Sequence, residues 1–249
     1  MYRSLGLFRY SNIMIGFITA MVFSDKQIKE AVKTGHIVIS PLVEENIRGS
    51  SVDVTLGEWF YVTESNGRRD YYNPFDASDV DRYFKGPLKA IRHDAWAEAN
   101  GRKLFTGIPA EQQIIVLRPG ERILAHTREF IGINPPGTTE MKSRSSWGRN
   151  GIAACFDAGW GDPGYINRWT MEIYNLNQHE SVPLPVGERI AQIIFHETGE
   201  VERHYGAGGK YQGGADIKQV MADWKPEQML PRAFTDQRSV QLPLEVEEA

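Results

Sequence analysis

Cysteine is almost missing from this chain. Cys155 is the single one in 249 residues, so no intrachain disulfide can form and a reducing compartment is expected. The same scarcity excludes a zinc site built on a histidine and a paired C-x-x-C, so no zinc is expected. Long apolar runs are missing too. No segment reaches the length needed to span a bilayer, and no membrane partner is expected. Net charge is also small, at −4. That gives no general attraction to nucleic acid or to an anionic lipid surface, and a cytoplasmic protein is expected. No internal repeat of the solenoid kind is visible. What is there is enough chain for one large domain or two small ones around a buried core.

The first twenty residues carry Arg3 and Arg9 ahead of a short apolar run from Ile13 to Ala20. That faintly resembles a signal peptide. The plainer reading is an N-terminal extension, residues 1–20, before a natural start at Met21. A domain opening follows at once. Ser24 and Gln27 fit a capping box, Ile28 and Val32 share one helical face, and Gly35 is a natural stop. HIVIS and SSVDVTLGEWFYVT read as strands, the second broken at Gly57.

Residues 64–112 differ in character. They are polar and turn-rich, with helices expected near 79–84 and 88–99. Tyr71, Tyr72, Phe75, Tyr83, Phe84 and Trp96 make the stretch too aromatic for a disordered linker. It reads as an insertion packed on the outside of a sheet domain that spans 21–214. From Gln113 to Glu197 short strands alternate with turn signals, which points to a sandwich or a barrel closed on itself. After Glu200 comes HYGAGGKYQGGAD, either a loose tail or a lid over a ligand. Residues 215–249 form a C-terminal tail. In it Ile217, Val220, Met221 and Trp224 share one face of a short helix, and the last fifteen or so residues are expected to be loose.

The chemistry gathers between 142 and 175. In RSSWGR, Arg144 and Arg149 offer planar forks of donors, Ser145 and Ser146 add hydroxyls, and Gly148 permits close backbone approach. Such a cluster suits a phosphate chain, although a turn of this composition is also an ordinary solvated loop. In AGWGDPGY, Asp162 sits in a tight turn. It is a turn former, or a group that meets a sugar hydroxyl or orients a water. In RWTMEIYN, alternation puts Trp169, Met171 and Ile173 on one face, and Arg168, Thr170, Glu172 and Tyr174 on the other. Glu172 is then either a solvent-facing carboxylate or a partly buried one able to cycle a proton. Periodicity does not decide between them.

In this order RSSWGR, AGWGDPGY, WTMEIYN, VGERIAQIIF and GKYQG resemble the dCTP deaminases of the dUTPase-like superfamily. The opening SDKQIKEAVKTGHIVI and SVDVTLG are similar to the start of those enzymes. The likeness covers roughly 21–214. It implies a mainly β fold, a dUTPase-like distorted β-barrel or jelly-roll (β-clip) with a few short helices, assembled as a homotrimer with sites between subunits. It implies deamination of dCTP without zinc, with Mg2+ bound through the substrate triphosphate. Glu172 falls on the catalytic glutamate that activates water for attack at the ring's C4. Ser145 and Arg149 assist it, and the Ala158 carbonyl helps hold the water. The segment Arg144, Ser145, Ser146, Trp147, Gly148 and Arg149 grips phosphates, from a neighbouring subunit. Asp162 meets the deoxyribose, and the backbone of Thr170, Met171 and Glu172 meets the base. Tyr205, Lys210, Gln192 and Gln212 close over the triphosphate. Arg149 near Glu172 favours the ionised carboxylate, while burial opposes it.

Three positions depart from the family pattern. Asn167 stands in the hairpin turn where many relatives carry glycine. Gly214 stands where many carry a glutamine that touches phosphate. The spacing from Tyr205 to Lys210 is short. The leading expectation is a dCTP deaminase that releases ammonia and dUTP, with dTTP as a candidate inhibitor. The alternative is a bifunctional enzyme giving dUMP and pyrophosphate, because Ala158-Gly159-Trp160 resembles the A-G-aromatic sequence of that type. A plain dUTPase would not need Glu172. A catalytically silent nucleotide-binding protein on the same barrel is the reading from a different class.

Overall fold

A computed structural model describes residues 21–63, 71–156 and 158–236. The extension of residues 1–20, the start of the insertion at 64–70 and the tail from 237 lie outside the described residues.

The chain opens with helix α1 (Asp25–Lys33). Ser24 and Gln27 cap each other reciprocally, as the sequence predicts, and Gly35 follows at φ +77°. Five strands and two helices follow: β1 (Ile37–Ser40), β2 (Ile47–Arg48), β3 (Ser51–Thr63), α2 (Ala77–Tyr83), β4 (Phe84–Lys89), β5 (Ile91–Arg92) and α3 (His93–Ala99). Next come β6 (Gln113–Leu117), β7 (Arg122–Ile133), β8 (Gly137–Ser143), α4 (Ser145–Arg149), β9 (Ile152–Ala154) and β10 (Trp160–Gly161). The last elements are β11 (Ile166–Asn175), β12 (Val182–Pro185), β13 (Arg189–Glu197) and α5 (Ile217–Asp223).

Ten strands form one curled antiparallel sheet along the path β10-β8-β13-β3-β7-β11-β9, with β1, β2 and β4 added at its flanks. A small sheet β12-β6-β5 stands beside it. The two long strands make the curl. The first half of β3 pairs with β13, and its second half pairs with β7 and β4. Inward-facing aliphatics of these strands, with Trp169, Met171 and Phe195, fill the core.

Several expectations change here. Gly57 does not break β3. The strand runs through it, and only its register with β7 slips there. A β-carbon on Gly57 would lie 2.0 Å from a His126 ring carbon, so glycine makes room for that buried ring. The helix expected over 88–99 is shorter, because residues 84–89 form strand β4 against β3. Long-range pairing overrides the local pattern there. The insertion therefore supplies strands to both sheets instead of lying only outside them. RSS, at the start of the RSSWGR cluster, belongs to helix α4 and its cap.

The tail is ordered as far as it is described. Trp224 and Leu230 pack beside buried Met229 in a second apolar cluster with Tyr61, Val80, Phe84 and Leu124. Trp224 follows α5 in extended conformation instead of continuing the helix. Among the described residues, no helix is long and apolar enough to cross a membrane.

Candidate active site

From Asn167 onward strand β11 alternates between buried and half-buried residues. Trp169, Met171 and Ile173 are buried in the core, while Arg168, Thr170, Glu172 and Tyr174 are half-buried on the other face. That face lines a cavity of about 540 Å3, within the range that holds a small ligand. The pairing with β7 shifts between Arg168 and Thr170. At this irregularity the Trp169 amide donates to the Thr127 hydroxyl at 2.9 Å instead of to a strand carbonyl. Irregularities of this kind re-aim side chains next to functional sites.

Glu172 projects into the cavity. Burial pushes its carboxyl above the ordinary range. Its own backbone amide and the charge of Arg122 pull partly the other way. Ala158, Asp162, Thr170 and Tyr205 line the same space, so five of the residues singled out in the sequence converge there. The turn carrying Asp162 is closed by the Tyr165 amide donating to the Asp162 carbonyl at 2.9 Å. Met171 does not line the cavity, and its side chain is fully buried in the core.

The RSSWGR corner lies elsewhere. Ser145, Ser146, Gly148 and Arg149 are exposed on α4, and none of them lines the cavity. Arg144 is turned inward: its Nε is 3.3 Å from Asp53 Oδ1, and its Nη1 donates to the Arg189 carbonyl at 3.3 Å. The Trp147 indole donates to that same carbonyl at 2.9 Å. Asp53, only 5% exposed, also accepts from Arg189 Nη1 and Gln192 Nε2, each at 3.1 Å. Arg144 and Gln192 are thus gathered on one buried carboxylate. Within the chain, the cation whose charge acts on Glu172 is Arg122.

The glycine-rich segment folds against its own hairpin. The Tyr205 ring meets Tyr165 at 5.0 Å, and its hydroxyl accepts from the Tyr211 amide at 3.1 Å. A β-carbon on Gly209 would fall 2.1 Å from the Tyr205 ring, so this close fit requires glycine. Gln212 is buried. It accepts from the Ile166 amide at 2.8 Å and donates to the Gly164 and Gly214 carbonyls. Lys210 pairs with Asp236 and does not line the cavity. Asn167 is not in a turn. It is the second residue of β11, buried, and donates to the Tyr211 carbonyl at 2.9 Å. Asn167 and Gln212 together tie the segment down.

Sequence reasoning missed half of the cavity wall. Tyr72 and Phe84 come from the insertion, Trp224 and Met229 from the tail, and Arg122 from β7. The aromatic content of the insertion and the apolar face 217–224 are the signals for Tyr72, Phe84 and Trp224. Trp224 stacks near the Arg168 guanidinium at 4.6 Å and lies 4.7 Å from the His126 ring. His126 is held neutral, its pKa pushed down by burial to about 4. The Trp59 amide donates to its Nε2 at 3.3 Å, which leaves Nδ1–H to donate to the Thr127 carbonyl at 2.7 Å.

Comparison with known proteins follows the same outline. A family model described as dCTP deaminase-like matches residues 22–198. A protein of Methanopyrus kandleri named "dCTP deaminase, dUMP-forming" is 36% identical over 203 residues, 77% of this chain and 91% of that protein. One of Methanobrevibacter smithii with the same name is 33% identical over 187 residues, 74% of this chain and 85% of its own. Among solved structures, the 2'-deoxycytidine 5'-triphosphate deaminase of Agrobacterium tumefaciens aligns with a TM-score of 0.50 at 17% identity. It covers 72% of this chain but only 49% of its own length, and supports the shared, mainly β fold alone.

Proposed function

Because this chain belongs to the dCTP deaminase-like family, we propose that it deaminates dCTP and then cuts the triphosphate, giving ammonia, dUMP and diphosphate. The names of its relatives in Methanopyrus and Methanobrevibacter favour this dUMP-forming reaction over the dUTP-releasing one that the sequence put first. The observation that carries the deaminase reading is the half-buried Glu172, its carboxyl raised by burial, in a cavity shared with Ala158, Asp162 and Thr170.

In the first step water is the nucleophile. The Glu172 carboxylate takes a proton from it as the oxygen adds to C4 of the cytosine, and passes that proton to ring N3. Glu172 then carries the proton of the new C4 hydroxyl to the amino group, the C4–N bond breaks, and ammonia leaves as the C4 carbonyl forms. A raised pKa suits this cycle, because the same group must both accept and give a proton near neutrality. In this scheme the Ala158 carbonyl holds the water, Asp162 meets the sugar, and the backbone of 170–172 meets the base. A second water then attacks the triphosphate to release diphosphate.

Ser145, Ser146 and Arg149 are exposed and lie outside the cavity lining. They serve a neighbouring copy in a homotrimer, where an arginine fork grips phosphate and supports the reacting carboxylate. Magnesium belongs to the nucleotide in this scheme. In this reading triphosphate oxygens supply most of its ligands, and no step runs through it.

The test is the product assay. The protein is incubated with dCTP and magnesium, and ammonia and nucleotides are followed by chromatography. Ammonia with dUMP and diphosphate is expected. Ammonia with dUTP alone returns the assignment to a plain deaminase, and untouched dCTP with cleaved dUTP sinks the deaminase reading. Glu172→Gln should lower deamination by about a thousandfold or more while dCTP still binds. Turnover near the wild-type rate removes Glu172 from its role.

A further inference from the structure

The aromatic insertion and the cavity meet at one cation. Arg122 on β7 is the register partner of Tyr174 on β11, and Glu172 is opposite Leu124, two residues along the same face. Such diagonal neighbours lie roughly 7–8 Å apart, within reach of long side chains. The Arg122 guanidinium carbon is 6.0 Å from the Tyr83 ring centre, 5.8 Å from Phe84 and 5.9 Å from Tyr174. Its Nη1 donates a long 3.4 Å bond to the Tyr174 hydroxyl. Tyr72 stacks on Tyr83 at 4.3 Å and carries this cage to the cavity wall. Rings from the insertion thus hold the cation in place without neutralising it. Among the described residues, Arg122 has no ion-paired carboxylate.

We propose that Arg122 is a positioning residue for the reaction. Caged by the insertion, it keeps the Glu172 carboxylate ionised and turned into the cavity before nucleotide arrives. This rests on Glu172 being the base, as proposed above. It goes beyond that reading by giving the insertion a task and by placing the supporting cation in the same chain.

The other groups around the cavity do not supply that charge. Arg168 is held between the Phe130 and Trp224 rings, at 5.0 and 4.6 Å. Asp162, on the turn before β11, carries the wrong sign. The phenols of Tyr72, Tyr165 and Tyr205 are pushed further up by burial and stay neutral. Tyr211, from the glycine-rich segment, completes the titratable lining. On the β9 side stands the buried Cys155, whose amide donates to the Glu172 carbonyl at 3.1 Å. Arg122 is the cation whose field counters the burial of Glu172.

The test compares wild type, Arg122→Gln and Arg122→Lys by initial rates of ammonia release from dCTP, across the pH range in which wild type is active. Without the cation, only the backbone amide of Glu172 opposes its burial, and the carboxylate protonates at higher pH. The acid limb of the Arg122→Gln profile should move upward, with activity at its acid end about tenfold lower and the alkaline plateau within about threefold of wild type. Arg122→Lys should return most of the limb. Tyr174→Phe, which removes only the anchoring bond, should move it the same way by less, and serves if Arg122→Gln does not fold. An acid limb unmoved in whichever of these two variants folds overturns the proposal. So does a uniform loss at every pH, which marks a structural role. No ammonia from wild type overturns the deaminase reading instead.

Discussion

The two ends of the stretch 142–175 are built on opposite plans. At its far end, β11 is flanked on both sides, its reactive face is roofed by the insertion and the tail, and Glu172 sits half-buried in a formed cavity. At its near end, α4 is one exposed helical turn, tied to the body through Arg144 and Trp147 while Ser145 and Arg149 face outward. The contrast separates two jobs. Proton transfer, the job proposed for Glu172, needs a carboxylate whose charge is tuned by burial, and a single chain provides a half-buried one. Gripping a triphosphate, the job proposed for α4, needs donors aimed outward at something the chain does not itself contain.

The sharpest way to break that contrast is to split the two ends between chains. Arg149→Ala should cost about a hundredfold in deamination, the scale of losing one preorganised donor. If α4 serves a neighbour, mixing unfolded Arg149→Ala with unfolded Glu172→Gln and refolding them together should restore activity. Random assembly of a closed ring leaves about a quarter of the sites with both residues intact. A mixture no more active than its parents would place both ends in one chain.

A smaller effect tests the burial of the cavity side. His126, beside Trp224, has a folded pKa of about 4 against 6.5 for the free side chain. The unfolded chain therefore binds the extra proton first. His126 costs no stability well above pH 6.5, and stability is lost as pH falls through the window from about 6.5 to about 4. The full loss is on the order of 3 kcal/mol. Urea titrations at stepped pH should show it, and His126→Gln should flatten the slope. An unchanged slope would mean that the ring is not buried as a neutral group.

The smallest effect tests the roof. Met229→Ala empties part of the cluster formed with Tyr61, Val80, Phe84 and Leu124. It should cost about 2 kcal/mol, at the low end for a buried methionine. Thermal unfolding checks this, and a loss within error would mean that the tail only rests on the sheet.

Much of the core of this design was legible in the residues. The Ser24 capping box, the strands from Gln113 onward and the alternation of β11 are local patterns, and local patterns survive folding where the long-range contacts agree with them. Residues 84–89 show the failure. Their sequence contains Gly86 and Pro87 and no clean alternation, and only β3 makes them a strand. Gln212 shows another. Nothing in GKYQG says whether its amide faces a ligand or the chain's own backbone, and three hydrogen bonds turn it inward. Arg122 was invisible for the same reason, since its cage comes from residues about forty positions upstream and fifty downstream along the chain.

By itself, then, the sequence determined which residues could do the chemistry: a carboxylate on an alternating strand, an aspartate in a tight turn and an arginine-serine corner. It could do so because residue type and strand period are local properties. The tertiary structure decided which of them share a cavity, that Glu172 is half-buried with a raised pKa, that Arg122 is the cation beside it, and that the arginine-serine corner looks away. Burial and charge proximity are sums over the whole surrounding chain, and no stretch of sequence contains that sum.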